Sequence, residues 1–494
     1  MKSPALLFLL GFTALTGCQS PLGHRAASSI SRPKPFSVVQ HVASVAPVAV
    51  PPDELPLQDA KLQSPGPSAV SPAEELPQVA LDSQPLSLEG AASLTLAQNP
   101  DLIAARQAEG VSLGALGVAQ TYPFNPWVQI QVTPDPRLPD GTTGTTAHYV
   151  LMMQTLQLAH QRQHREAAAM SVLNGTRWNI VQAELMAVAQ TERLYFAALY
   201  QRGLAEISRA NADLSHELLD ISEKQLKNGQ LSAADVAIVR LDESVARRRA
   251  ELVQTNYQTA LLDLRRQLNL PLSMPLTLSG NLADFQFGAA ADAALARDAS
   301  EWETAPSNPQ EIAWQLAAAR PDVLAAQSDL DAARANMNLA HANKTPDLQI
   351  GPYYQKTDSG ATLWGFRAHG DLPILNSGQP LVRQRMAEVN QRQTVWEQLH
   401  QRAALDAQAA IDRYERARRL VTASGSGVEL PQELSKLEAQ FKAGEIDVLR
   451  IVTARTSLLA ARQAQLDTLN ELAQAAAALT SATGLPPEAV VQGR

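Results

Sequence analysis

A single cysteine, Cys18, stands among 494 residues, so no disulfide within the chain can staple the fold. Aromatic residues make up only 5%, which argues against an aromatic-cored sandwich. The net charge of −8 leaves no basic face, and a nucleic-acid partner is not expected. Past the N-terminus, no run approaches the roughly 18 apolar residues of a membrane helix. Any crossing of a bilayer must therefore be made by strands. Catalytic signatures are missing as well: there is no HExxH, no Gly-rich phosphate loop and no nucleophile motif. His160 and His164 lie one helical turn apart, but no carboxylate or third ligand stands at useful spacing. No enzyme activity, cofactor or metal is expected.

What is present is 45% hydrophobic and rich in Ala, Leu, Gln, Glu and Arg, the make-up of long helices. Met1-Lys2 precedes an apolar run from Ala5 to Leu15, and then Leu15-Thr16-Gly17-Cys18. A charged start, a short apolar core and small residues before a cut describe a secretory signal, residues 1–17. The last four residues resemble a bacterial lipoprotein box, which implies lipidation (palmitate included) at Cys18. Gln19 after it resembles lipoproteins sorted to the outer membrane. Residues 18–87 are Pro-, Ser-, Ala- and Val-rich, holding about twelve of the 31 prolines, and read as a lipid-anchored tether.

One stretch is written twice. Glu223-Lys-Gln-Leu-Lys227-Asn-Gly229-Gln-Leu231 returns as Glu438-Ala-Gln-Phe-Lys442-Ala-Gly444-Glu-Ile446, and the offset of 215 still holds for Pro486 against Pro271. A register kept over 40 residues without insertion describes a helical hairpin under packing constraint, because a loop would tolerate indels. Two repeats follow, residues 88–285 and 312–486, joined by 286–311 and ending in a tail, 487–494.

Within the first repeat, Leu94 to Gln120 reads as one helix with Pro100 in its first part. Trp127 to Thr133 alternates strictly, and Ala147 to Leu158 forms a second extended segment. Arg165 to Asn228 has no proline and keeps helical spacing through Ile207, Leu214, Leu218 and Ile221. Gly229 suits the turn back, and Ala233 to Asn269 carries a seam through Val236, Val239, Glu243, Ala246, Ala250, Val253, Tyr257, Ala260 and Leu264. In the second repeat, Trp314 to Ala342 mirrors the opening helix. Leu363 to Leu375 puts Trp364, Phe366 and Ala368 on one face and Arg367, His369 and Asp371 on the other, suiting lipid outside and water inside. Leu381 to Ala443 is interrupted at 424–431, and Val448 to Thr483 repeats the seam at Ile451, Ala454, Leu458, Ala461, Thr468, Leu472, Ala475 and Leu479.

Helix, two strands, very long helix, glycine tip and returning helix, all done twice: the chain resembles the TolC-like outer-membrane efflux family over about 88–486. The motif-like parts are Phe441-Lys-Ala-Gly444-Glu-Ile-Asp-Val-Leu449 with Ala454-Arg455, Leu226-Lys-Asn-Gly229-Gln-Leu231 with Asp235 and Arg240, and Leu372-Pro-Ile-Leu-Asn-Ser-Gly378. Departures are the long tether, the 424–431 break, and Gln161 where a glycine is due.

The fold class implied is mainly α with a small membrane β part. Duplicated helical hairpins would form an α-barrel, and four strands per chain would contribute to a trimeric 12-stranded β-barrel. Elementary geometry supports the trimer, since about eight strands are the fewest that close. The resemblance implies a homotrimeric, passive outer-membrane channel of a tripartite efflux or type I export system, extending into the periplasm. Its partners would be a periplasmic adaptor (membrane fusion) protein, an inner-membrane pump and outer-membrane lipid. Gly229, Leu231, Gly444 and Ile446 would be the tips an adaptor reads, with Asp235, Glu445 and Asp447 at the periplasmic entrance. Asp235 and Asp447 serve equally well as helix N-terminal carboxylates favoured by the dipole. The alternative is a periplasmic adaptor or a structural coiled-coil lipoprotein. Duplicated hairpins argue against the first, and the aromatic-and-charged strand at 363–371 against the second.

Overall fold

The computed structural model describes residues 85–134, 141–143, 145–288, 309–423, 448–485 and 491–492. Cys18, the tether, the 424–431 break and the second-tip residues Gly444, Glu445, Ile446 and Asp447 lie outside them. The first half contains α1 (Leu88–Gln98), α2 (Pro100–Gln120), β1 (Trp127–Thr133), β2 (Ala147–Leu156), α3 (Gln161–Lys227), α4 (Ala233–Gln267) and β3 (Gln286–Phe287). The second contains α5 (Pro309–Ala318), α6 (Pro321–Ala342), β4 (Leu348–Lys356), β5 (Thr362–Gly370), α7 (Gln379–Ala423), α8 (Val448–Thr483) and β6 (Val491–Gln492). Among the described residues no helix is long and apolar enough to cross a membrane.

Each half opens on a broken helix where the period predicts a continuous one. Proline lacks an N–H and its ring clashes with the carbonyl four residues back, so α1 stops before Pro100 and α5 before Pro321. The Asn99 side chain caps α2, accepting from Asp101 N (3.0 Å) and Leu102 N (3.3 Å). Its amide also donates to Gln267 O at the end of α4 (3.2 Å). In the second half Arg320 takes that position, pairs with Asp322 (2.6 Å) and donates to Ala482 O at the end of α8 (3.1 Å). Two different side chains thus make one joint, stacking α4 on α2 and α8 on α6.

Helix α3 has 67 residues and spans about 100 Å. Its first part meets α2 through Arg106–Glu184 (2.7 Å) and Arg177–Glu109 (2.9 Å), and α6 where Gly175 comes close to Ala325, Ser328 and Asp329. Its second part meets α4 and α8. The side-by-side order is α2-α3-α6-α7 in one layer and α4-α3-α8-α7 in the other, with Arg413–Glu471 (2.8 Å) tying α7 to α8. The main core gathers Tyr195, Phe196, Leu264, Tyr414 and Leu479 where the layers meet.

The seams of α4 and α8 fall in part where the sequence puts them: Val236, Val239, Ala246 and Leu264, and Ile451, Leu472, Ala475 and Leu479, are buried, whereas Glu243, Ala250, Val253, Tyr257, Ala260, Ala454, Leu458 and Thr468 are half-buried and Ala461 is exposed. On α3 Leu218 of the expected row is buried, but the rest of the buried row is shifted by one residue. Ser208, Ser215 and Ser222 are buried at heptad spacing, while Ile207, Leu214 and Ile221 beside them are half-buried. A helix flanked by neighbours on two sides packs closest along its small residues, and the larger aliphatics fill the gaps on either side.

Candidate functional site

The four long strands form one antiparallel sheet in the order β1-β2-β4-β5, so the two halves of the chain are stitched together by β2 and β4. Cross-strand partners share a face. From the register, Val128, Ile130, Val132, Val150, Met152, Ile350, Tyr354, Trp364, Phe366 and Ala368 stand on one face. Trp364 is 77% and Phe366 87% exposed, and Tyr354 packs on Trp364 with centroids 4.8 Å apart. Gln129, Gln131, Thr133, Tyr149, Gln349, Tyr353, Gln355, Arg367 and His369 stand on the other, with Trp127, Ala147, Leu151, Met153 and Leu363 among them. That polar face is concave: Gln129, Gln131, Tyr149, Tyr353, Gln355 and Arg367 line one cavity. A large apolar exposed face backed by a wet concave one is the pattern of a barrel wall in lipid.

Arg367 and His369 therefore share a face, as their spacing predicts. Asp371 does not join them on the strand. The ladder ends at Gly370, because Pro373 cannot donate and the chain turns at Leu372, whose carbonyl accepts from Ile374 N (2.8 Å). Asp371 lies past the last pair, its carboxylate 4.0 Å from His369 Nε2. Tyr149 is the residue the sequence reading missed on this face. Its hydroxyl accepts from Arg367 Nη1 at 3.2 Å, and its ring lies 6.1 Å from that of Tyr353. The alternation of β2 already carried the signal.

Where β2 turns into α3, the left-handed residue is His160 (φ 59°), directly before the helix, and its counterpart before α7 is Gly378 (φ 71°). The missing glycine of the first half thus falls at His160, one position before Gln161. A side chain there costs about 1 kcal/mol. Gln161 instead satisfies the turn, accepting from Ala159 N (2.9 Å) and donating to Asp347 (3.3 Å).

At the other end of α3, Gly229 (φ 72°) closes a Schellman turn: Gly229 N donates to Leu226 O (3.0 Å) and Gln230 N to Gln225 O (2.9 Å). Gly229 is exposed, with open space around it. Leu231 is half-buried, packed on the cluster of Leu218, Val239 and Ile451, so it holds α3, α4 and α8 together at the tip. Asp235 completes a capping box with Ser232, accepting from Ser232 N (3.3 Å) while Ser232 Oγ accepts from Asp235 N (3.2 Å). Of the two readings of Asp235, this geometry supplies the helix-start one.

A few turns from the tip, Arg455 of α8 is buried. Its Nη2 lies 3.0 Å from Asn211 O, 2.8 Å from Asn211 Oδ1 and 3.0 Å from Ser215 Oγ, and Ser215 reaches on to Asp242 of α4 (3.3 Å). Its repeat mate Arg240 stays exposed and pairs with Glu223 (2.8 Å). Hydrogen bonds to a charged group contribute about 1.5–3 kcal/mol, and removing the donor strands its acceptors. Arg455→Ala is expected to destabilise the hairpin by about 3 kcal/mol. Chemical denaturation of the detergent-solubilised protein measures this; an unchanged midpoint would remove the brace.

Nearer the layer junction, Glu192 of α3 is 1% exposed, and neither carboxyl oxygen has a hydrogen-bond partner. Burial pushes its pKa up to about 8, so it is protonated at neutral pH. A nearby Thr480 hydroxyl opposes the shift, but that hydroxyl is engaged by Ala476 O (3.3 Å). Nothing in the local sequence pattern distinguishes Glu192 from the exposed glutamates of the same helix.

Residues 313–485 match the family model described as Outer membrane efflux protein. Similar folds occur in three solved channels or membrane proteins. The MtrE outer membrane channel of Neisseria gonorrhoeae in its open state has a TM-score of 0.62 at 18% identity, covering 80% of this chain and 88% of that one. The Campylobacter jejuni CmeC outer membrane channel has a TM-score of 0.59 at 14% identity, covering 80% and 85%. The outer membrane protein VceC of Vibrio cholerae has a TM-score of 0.59 at 16% identity, covering 80% and 96%. No curated protein sequence matches the chain.

Proposed function

Since residues 313–485 match the outer membrane efflux protein family, we propose that three copies of this chain close into one channel of an efflux or type I export system. Substrate passes passively through it from the periplasm across the outer membrane. The observation that carries this is the sheet, with one apolar face, one polar face and two edge strands, β1 and β5. Open strand edges are not tolerated in lipid, and four strands are too few to close. Directions alternate along β1-β2-β4-β5, so β5 of one copy meets β1 of the next antiparallel, and a closed ring of three holds twelve strands. The helices beyond those strands, α2 and α7, expose Val111, Val118, Met386 and Val395 along the same edges, as a surface awaiting a neighbour would.

On this reading a lipid at Cys18 and the 18–87 tether anchor the chain to the outer membrane. The helical body reaches into the periplasm, where an adaptor protein docks at the tips and an inner-membrane pump supplies energy. Gly229 with Leu231, and Gly444 with Ile446, form the docking tips. Glu445 and Asp447 stand at the entrance beside Asp235. Purified in detergent, the protein is expected to run as a trimer and to conduct ions in a planar bilayer. A monomer without conductance would sink the channel reading.

A further inference from the structure

The four long strands contain no aspartate or glutamate. Besides tyrosines, their ionisable residues are His148, Lys356, Arg367 and His369. His148 and Lys356 are cross-strand partners at the loop end of the apolar face, where a long amine reaches the headgroup layer. Arg367 and His369 share the other face by register, and His148 and Lys356 border the cavity that Arg367 lines. Arg367 rests on the Tyr149 hydroxyl (3.2 Å), and no carboxylate pairs with it among the described residues. The neighbouring acids lie outside the strands: Asp371 lies by His369 (4.0 Å), and Asp347 lies near Arg165. Among the described residues the strands thus carry the fixed positive charges of Arg367 and Lys356 and no fixed negative one.

We infer that the strand section is an anion-preferring filter and that this channel's cargo consists of negatively charged solutes; the inference rests on the channel reading above. Twelve strands about 4.8 Å apart, tilted by about 40°, enclose a backbone cylinder of about 12 Å radius. Three Arg367 side chains project into it from one level. With a Debye length of about 10 Å at 0.1 M salt, their potential spans the section. Rings of Arg or Lys are one of the ways pores admit anions, and strands with no carboxylate offer cations no fixed negative charge. His369 lies two residues along the same strand, on the side of the helices, and adds a second polar ring there.

The test is the reversal potential of the full-length channel in a planar bilayer under a KCl gradient near 0.1 M, for wild type, Arg367→Lys, Arg367→Gln and Arg367→Glu. Wild type and Arg367→Lys are expected to reverse on the chloride side of zero. Arg367→Gln should move toward zero, and Arg367→Glu should cross to the potassium side, its chloride-to-potassium permeability ratio falling severalfold to below one. Repeated near 1 M salt, where the Debye length is about 3 Å, the differences should shrink. A constriction at the helical tips would act in series and equally on all four proteins, so the change between them belongs to the strand section. A potassium-preferring wild type, or an Arg367→Glu channel with wild-type reversal, overturns the inference and leaves the channel standing. Wild-type protein that forms no conductance overturns the channel reading itself.

Discussion

Gly351→Val is expected to abolish the membrane-inserted trimer. Gly351 sits on β4 at the seam with β2, the only strand pairing that joins the two halves within the four-stranded sheet. A Cβ there would run into the Met152 carbonyl group and the Met153 Cα, all of them backbone atoms of the facing strand. No rotamer relieves such a contact, so the strands must separate, and valine's second branch adds to the push. Separation leaves N–H and C=O groups without partners in lipid, where each costs several kcal/mol. The helices do not depend on this seam and should keep their far-UV circular dichroism. Gly365 of β5 makes a fair control, because the atoms nearest a Cβ at that position belong to the Tyr353 ring, the far end of a side chain that can swing away. Gly365→Ala should therefore assemble. Crosslinking and heat-resistant gel mobility of membrane fractions measure both variants. A Gly351→Val trimer formed at wild-type yield would refute the tight seam.

The second large effect concerns pH. Glu192 titrates near 8 in the folded chain against 4.5 when exposed, so the folded state holds its proton where the unfolded state has released it. Stability from this group therefore falls as pH rises from about 4.5 and reaches its full deficit above about 8. A shift of that size corresponds to a deficit on the order of 5 kcal/mol. Glu192→Gln keeps the shape of the neutral acid and cannot ionise, so its stability should lack this slope. Thermal unfolding of the two proteins between pH 5 and 8.5 gives the difference free of every other titrating group. Parallel profiles would mean that the cavity around Glu192 admits enough water to hold the charge.

Much of the architecture was legible because it is periodic. The offset of 215 announced the α3–α4 hairpin and the packing of α7 on α8, and the glycine at 229 is the left-handed closing residue of a helix. The alternation Trp364, Phe366, Ala368 against Arg367 and His369 translated directly into two faces of a sheet. Breaks were harder to read. Proline tolerates the first turn of a helix as readily as it ends the preceding one, so the period alone ran through Asn99-Pro100, where the ring clash ends α1 and the docking of Asn99 on Gln267 holds the new start. The candidate polar triad lost Asp371 for a related reason: period two continues on paper through a residue whose ladder partner no longer exists.

The tips show the remaining limit most plainly. Asp235 is an entrance carboxylate or a cap by sequence alone, and the 3.3 Å approach of Ser232 N shows its cap. Leu231 is an exposed tip residue by position, yet it closes a three-helix cluster with Ile451, which lies 220 residues away.

Periodicity, turn chemistry and duplication are properties of neighbouring residues, so the chain by itself determined its hairpins, its strands and the two faces of each. Which row of a helix is buried depends on what stands across from it. Ser208, Ser215 and Ser222 lie inside while Ile207, Leu214 and Ile221 flank them, because α3 has close neighbours on both sides. The unpaired carboxyl of Glu192, the buried guanidinium of Arg455 and the backbone contact at Gly351 are likewise set by residues far off in the chain. Only the tertiary structure decided them, since close packing, desolvation and long-range pairing exist only once distant segments meet.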